Sequence, residues 1–89
     1  MIFRSLCETS ELMVSTDYKE RFVAEYVQTA IRYQKLHRML VKYDAGKLDF
    51  EPTCGVEILR KQKHAMGLYL NALEVRAEIE GIELPKVEV

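Results

Sequence analysis

Apolar and aromatic residues in the first half of the chain recur at alternating intervals of four and three. This spacing is that of a heptad seam along one face of a long α-helix. The members are Phe22, Tyr26, Thr29, Tyr33, Leu36, Leu40 and Tyr43, with Val23, Val27, Ala30 and Ile31 beside them. The pattern predicts a helix over residues 17–44, with Asp17 as N-cap and Gly46 in the left-handed position after its end.

The second half of the chain has a heptad seam as well, and more apolar residues outside it. The pattern predicts a helix over residues 55–80 that ends before Gly81 and Pro85. The seam consists of Val56, Leu59, Lys63, Met66, Leu70, Leu73 and Ala77. Other apolar residues lie outside it: Ile58, Ala65, Leu68, Tyr69, Ala72, Val75 and Ile79. A helix that is apolar on most of its circumference is normally buried on more than one side.

Together these patterns predict an all-α, single-domain chain. An antiparallel two-helix hairpin (about 17–44 and 55–80) follows a short N-terminal arm, residues 1–15, and precedes a tail, residues 81–89. The polar run at 8–11 argues against a long third helix in the arm. Each helix is about 39 Å long, and in a hairpin each covers only one face of the other. The second helix has further apolar residues, so we expect assembly into a helical-bundle oligomer. A monomer whose arm covers the excess apolar surface is the alternative.

The loop between the helices contains Pro52, and its apolar residues Leu48 and Phe50 alternate with charged ones. We expect these two side chains to fold back onto the tip of the hairpin. Composition agrees with a small helical domain, because 48% of the 89 residues are hydrophobic and only two are Pro. No apolar run reaches the roughly 18 residues that span a bilayer, so we expect a cytoplasmic protein without membrane contact.

Catalytic signals are weak. The sequence has no Gly-rich phosphate loop, HExxH or GxSxG motif, and we expect a non-enzymatic protein without a cofactor. Cys7 and Cys54 fit no zinc spacing. His37 and His64 should lie about one helical turn apart, since an antiparallel hairpin pairs residues whose numbers add to about 98. Two histidines without a third ligand predict no metal site.

Charge is distributed unevenly along the chain. Residues 32–64 carry a net charge of +4 and the remainder −5, for a formal total of −1. Folding the hairpin gathers the basic segments at its tip and the acidic ones at its open end. One interpretation is a solvated face whose complementary ends favour antiparallel assembly. The other is an anion site, in which phosphate contacts come from Arg32, Lys35, Arg38, Arg60 and Lys63 and stacking from Tyr33 or Tyr69.

Several segments carry a family resemblance: DYKERF at 17–22, KLHRMLVKYDAGKLDFEPTC at 35–54, ILRKQ at 58–62, AMGLYL at 65–70 and LEVRAEIEGIEL at 73–84. The chain resembles, over about residues 17–84, a family of small uncharacterised phage and prophage proteins named after a protein of a crAss-like phage. Many of its members have Pro at the position of Gly55. The resemblance implies a phage context, in which small accessory proteins often act against host immunity. It carries no activity that could be assigned to individual residues.

Two hypotheses about function follow. The first is a phage-encoded oligomeric binding protein that acts against host defence in the host cell, by sequestering a small cyclic nucleotide signal between subunits. The second is a protein–protein interaction module that binds and inhibits a host protein through the apolar face of the second helix, at Leu68, Ala72, Val75 and Ile79. Binding to double-stranded nucleic acid is disfavoured, because the acidic half would repel the phosphate backbone.

Overall fold

Two long antiparallel helices dominate the computed structural model, which describes residues 1–89. In chain order the elements are strand β1 (Ile2–Phe3), a 3-10 turn (Leu6–Thr9), helix α1 (Ser10–Met13), helix α2 (Tyr18–Asp44), helix α3 (Val56–Glu80) and strand β2 (Lys86–Val87). The predicted helical hairpin is confirmed. The two-residue strands, which pair with each other in parallel, were not predicted. None of the helices combines the length and apolarity that crossing a membrane requires.

Local chemistry fixes the ends of both long helices. The Asp17 carboxylate accepts a hydrogen bond from the Lys19 amide at 3.0 Å, so Asp17 is the N-cap of α2. Gly46 has φ +72 after the last turn, and the Lys47 amide donates to the Lys42 carbonyl at 2.8 Å. Gly81 ends α3 in the same way, at φ +69. These are the Schellman arrangements that the glycine positions predict.

The start of α3 is less firmly held. Its N-cap, Gly55, has φ +83 and offers no side-chain hydrogen bond to the first turn. Proline cannot adopt this backbone angle, because its ring holds φ near −65°. A chain with Pro at this position therefore has to enter α3 along a different path.

The predicted inward seam of α3 is confirmed, since all seven of its members are buried or half-buried. At the open end of the hairpin, Phe22 of α2 packs with Leu73 and Ala77. Arg76 lies over the Phe22 ring at 4.8 Å and donates to the Tyr18 hydroxyl at 2.7 Å. The open end is thus closed by an apolar cluster with a polar margin.

The arm covers α2 rather than α3. Phe3, Val27 and Ile31 form a second buried cluster, to which Leu6, Leu12 and Val87 add. Thr9 is also fully buried, and both hydrogen-bonding capacities of its hydroxyl are used. It donates to the Leu6 carbonyl at 2.7 Å and accepts from the Gln28 amide at 2.8 Å. We considered as an alternative that the arm covers the apolar residues of the second helix that lie outside its seam. This alternative is wrong, because the arm packs on the apolar residues of α2.

As a result, the outward face of α3 is uncovered. Seven residues follow heptad spacing along this face, and we call them the outer seam: Ile58, Lys61, Ala65, Leu68, Ala72, Val75 and Ile79. All are exposed, and Leu68 and Ile79 reach 61% and 78%. The loop follows the expectation in part, because Leu48 is half-buried and Phe50, although 53% exposed, lines a cavity with residues of α2.

If the arm stabilises the fold through the second cluster, Val27→Ala lowers the free energy of unfolding by about 2 kcal/mol. Two buried methyl groups are lost at roughly 0.8 kcal/mol each, and a cavity adds to this. Val14→Ala is the matched control, because Val14 is 75% exposed and Val27 is fully buried. Urea unfolding at one protein concentration measures both. Equal effects would contradict the assigned packing.

Candidate functional site

A groove of about 510 Å³ opens between α2 and α3 on the loop side of the hairpin. We call it the interhelical groove. Helix α2 lines it with Tyr33, His37, Leu40, Val41 and Asp44, and helix α3 with Arg60, Lys63, His64, Gly67 and Leu68. Each set recurs every three or four residues, so each belongs to one helical face. The volume lies within the roughly 300–1,000 Å³ of small-molecule sites.

Two rings form one wall of the groove. The Tyr33 and His37 rings stack almost in parallel, with centroids 6.4 Å apart and an interplanar angle of 11°. Gly67 lies opposite, and a Cβ at this position would meet the Tyr33 ring at 3.7 Å. Glycine therefore lets the α3 backbone lie close to the Tyr33 ring, which is half-buried. The Lys63 ammonium lies 5.9 Å from the Tyr33 centroid, at the outer limit of a cation–π contact.

The loop end of the groove holds an ion pair. Arg60 donates to both oxygens of the Asp44 carboxylate, at 2.5 and 3.3 Å. This hydrogen bonding, more than the charge of Arg60, lowers the pKa of Asp44 below its ordinary value of 3.8 and raises that of Arg60. Both side chains remain about half exposed, so the pair adds little to stability. Lys63 has no such carboxylate partner, which makes it the free cation of the groove.

The predicted anion site is divided by α2. Arg60, Lys63 and Tyr33 meet in the interhelical groove, but Lys35 and Arg38 line a separate cavity of about 370 Å³ with Lys42, Lys47 and Phe50. The reason is helical geometry, since residues 33 and 35 are separated by about 200° around the axis. Arg32 and Tyr69 are exposed and line neither cavity.

The largest cavity, about 730 Å³, lies at the open end beside the strand pair. Its two lysines, Lys19 and Lys86, are balanced by Glu20 and Glu83, and the rest of its lining is mostly apolar. The four charged side chains of this cavity cancel, and its one aromatic residue, Phe3, is buried and offers no ring face for stacking. For a phosphorylated ligand, the interhelical groove is the better candidate.

Sequence reasoning missed several lining residues, namely His37, Asp44, His64 and Gly67. The prediction took account of the position of each residue along the hairpin, but not of its angle around the helix axis. The available signal was the shared spacing of Tyr33, His37 and Asp44 on one side and of Arg60, Lys63 and Gly67 on the other. The structure contains no cluster of three or more metal-ligating side chains. The groove has a lysine, a pair of stacked rings and an ion pair at its loop end. It is therefore suited to binding a polar, aromatic anion.

Comparison with known proteins gives one match. A family model described as Sequestin matches residues 16–79, more than half of the chain. The matched span contains every residue of the interhelical groove, but leaves out the whole arm, with β1, and also β2. No curated protein and no solved structure matches.

Arg60→Gln returns the pKa of Asp44 toward 3.8, because it removes the hydrogen bonds that favour the carboxylate. The folded-state value is depressed, so the pair stabilises the fold above the unfolded pKa. That contribution is lost as the pH falls through the folded value. NMR titration of the Asp44 carboxyl carbon measures the shift. Lys47→Gln, which removes a cation outside the groove, should leave it unchanged.

Proposed function

The chain belongs to the Sequestin family, and we propose from this premise that it is a non-enzymatic, oligomeric protein that sequesters a small phosphorylated nucleotide. The family name is consistent with a sequestering function, in which retention of the ligand is itself the activity. We propose binding without turnover, with no cofactor and no metal. The interhelical groove is the site we assign to the ligand.

The biological setting is also part of this proposal. We propose that the protein is encoded by a phage or prophage and acts in the host cytoplasm, where it withdraws a cyclic nucleotide signal of host defence. The resemblance of the segments at 17–22, 35–54, 58–62, 65–70 and 73–84 to small phage proteins supports this setting. For an agent of this kind, affinity and abundance decide the effect, since each bound signal molecule is removed from its receptor.

The proposal rests on the meeting of a cation without a carboxylate partner, Lys63, and a half-buried aromatic ring, Tyr33, in one groove. Lys63 can bind a phosphate through its ammonium group. The accessible part of the Tyr33 ring can stack on a nucleobase while the phosphate lies at Lys63.

The Asp44–Arg60 ion pair gives the loop end of the groove both a hydrogen-bond donor and an acceptor, whereas Lys63 offers only donors. Arg60 uses two of its five N–H donors on Asp44, so the others are free for a second phosphate oxygen. Asp44 can accept hydrogen bonds from ribose hydroxyls or from base N–H groups, but it repels phosphate. We therefore assign the phosphate to the Lys63 side and the hydroxyl-bearing part to the Asp44 side.

The outer seam supports a second candidate, a module that binds and inhibits a host protein through Leu68, Ala72, Val75 and Ile79. Exposed apolar residues in a continuous helical stripe are typical of helix-in-groove and bundle recognition. This candidate assigns no ligand to the interhelical groove. It therefore predicts the same behaviour for groove variants and the unchanged chain.

Lys63→Gln weakens binding of a phosphorylated nucleotide about ten- to a hundredfold, because it removes one charge-assisted hydrogen bond. Isothermal titration of the unchanged chain against a panel of cyclic di- and mononucleotides first identifies the ligand, and the variant is then titrated with it. Lys47→Gln carries the same charge change in the other cavity and should bind as tightly as the unchanged chain. Absence of binding across the panel would reject the nucleotide proposal.

The interaction-module candidate has its own test. Under it, the isolated chain is a monomer by light scattering, and one identified host protein binds the unchanged chain but not Val75→Glu. Val14→Glu is the matched control, since Val14 is exposed but lies outside the outer seam. Equal retention of the host protein by both variants would reject this candidate.

A further inference from the structure

We infer that a second copy of this chain packs antiparallel on the outer seam of α3 and completes the interhelical groove. The seam alternates intervals of three and four over its whole length, from Ile58 to Ile79. Such spacing keeps one stripe facing a partner helix for three heptads. Nothing within residues 1–89 covers it, since the arm and β2 lie against α2.

The sizes of the side chains specify a pairing. In the centre of the seam, small and large residues alternate as Ala65, Leu68, Ala72 and Val75. In an antiparallel pair whose facing residue numbers add to about 140, Leu68 meets the partner's Ala72 and Val75 meets the partner's Ala65. Each large residue then fills the space left by a small one. A parallel pair would place alanine on alanine and leave gaps.

Charge favours the same direction. The first half of α3 is net basic, with Arg60, Lys61 and Lys63 against Glu57, and its last two turns are net acidic, with Glu74, Glu78 and Glu80 against Arg76. Antiparallel pairing brings the basic half of each helix to the acidic half of the other. Lys61, itself a seam residue, then lies beside the partner's Glu78 and Glu80. Parallel pairing would instead set Lys61 against the partner's Lys61, which is repulsive.

The partner would reach the groove because Leu68 and His64 belong to its lining. Beside the seam on the groove side, His64, Asn71 and Glu78 follow each other at intervals of seven. Two-fold symmetry places the same row of the partner along this rim, with the partner's Glu78 near His64 and the partner's Asn71 near Asn71. The pairing itself rests on the seam, but its role in completing a ligand site rests on the proposed function.

Sedimentation of the full chain without nucleotide tests the pairing independently of ligand binding. We expect twice the 10.4 kDa chain mass at about 100 μM. Val75→Glu should be a monomer, and Val14→Glu should remain a dimer with the same helix content by circular dichroism. A monomeric unchanged chain, or a dimer that survives Val75→Glu, overturns the inference and leaves the seam to a different partner. Failure to bind nucleotides leaves this result unaffected.

An exchange of side-chain sizes tests the register. Ala65→Val and Val75→Ala should each weaken the dimer at least about tenfold, because each change occurs twice in the symmetric pair. The double variant, which exchanges the two sizes across the interface, should return to within about threefold of the unchanged chain. Additive weakening in the double variant would overturn this register.

Discussion

Burial of α2 from two sides is the constraint on which the rest of the molecule depends. Its Phe22 face packs with Leu73 and Ala77 of α3, and its Val27 and Ile31 face packs with the arm. A chain of 89 residues can bury only a limited apolar area, and a domain of this size is therefore marginally stable. Because the arm is committed to α2, α3 gains a single covered face. The uncovered outer seam and the shallow groove beside it are two results of the same distribution of contacts.

The chemistry of the groove follows from its shallowness. Lys63 and the Asp44–Arg60 pair stand at the surface, where water weakens each charge and no group pays a large desolvation cost. A ligand that stays this exposed is released easily, so strong retention needs further contact area. A neighbouring copy would supply that area while also covering apolar residues of α3. Assembly and ligand retention are then connected through Leu68, which lies on both surfaces.

Much of the fold could be predicted because its signals are local. Asp17, Gly46 and Gly81 act on the backbone within one turn, and the inward seam of α3 repeats often enough to define a face. The position of the arm could not be predicted, because α2 and α3 both present spare apolar stripes and only three-dimensional packing chooses between them. Strands of two residues are too short for any periodicity. In the site, position along the hairpin correctly brought Tyr33 together with Lys63. The angle around α2 separated them from Lys35 and Arg38.

The parallel pairing of Ile2–Phe3 with Lys86–Val87 has a consequence for the order of folding. It closes a loop nearly as long as the chain, whose entropic cost grows only slowly with length but must be met before the contact forms. During synthesis Ile2 and Phe3 leave the ribosome long before the strand with which they pair. The arm and the hairpin can both pack without this contact, since the hydrogen-bonded Thr9 and Gln28 lie only 19 residues apart. The strand pair is therefore among the last contacts to form, and until then the second cluster lacks the side chain of Val87.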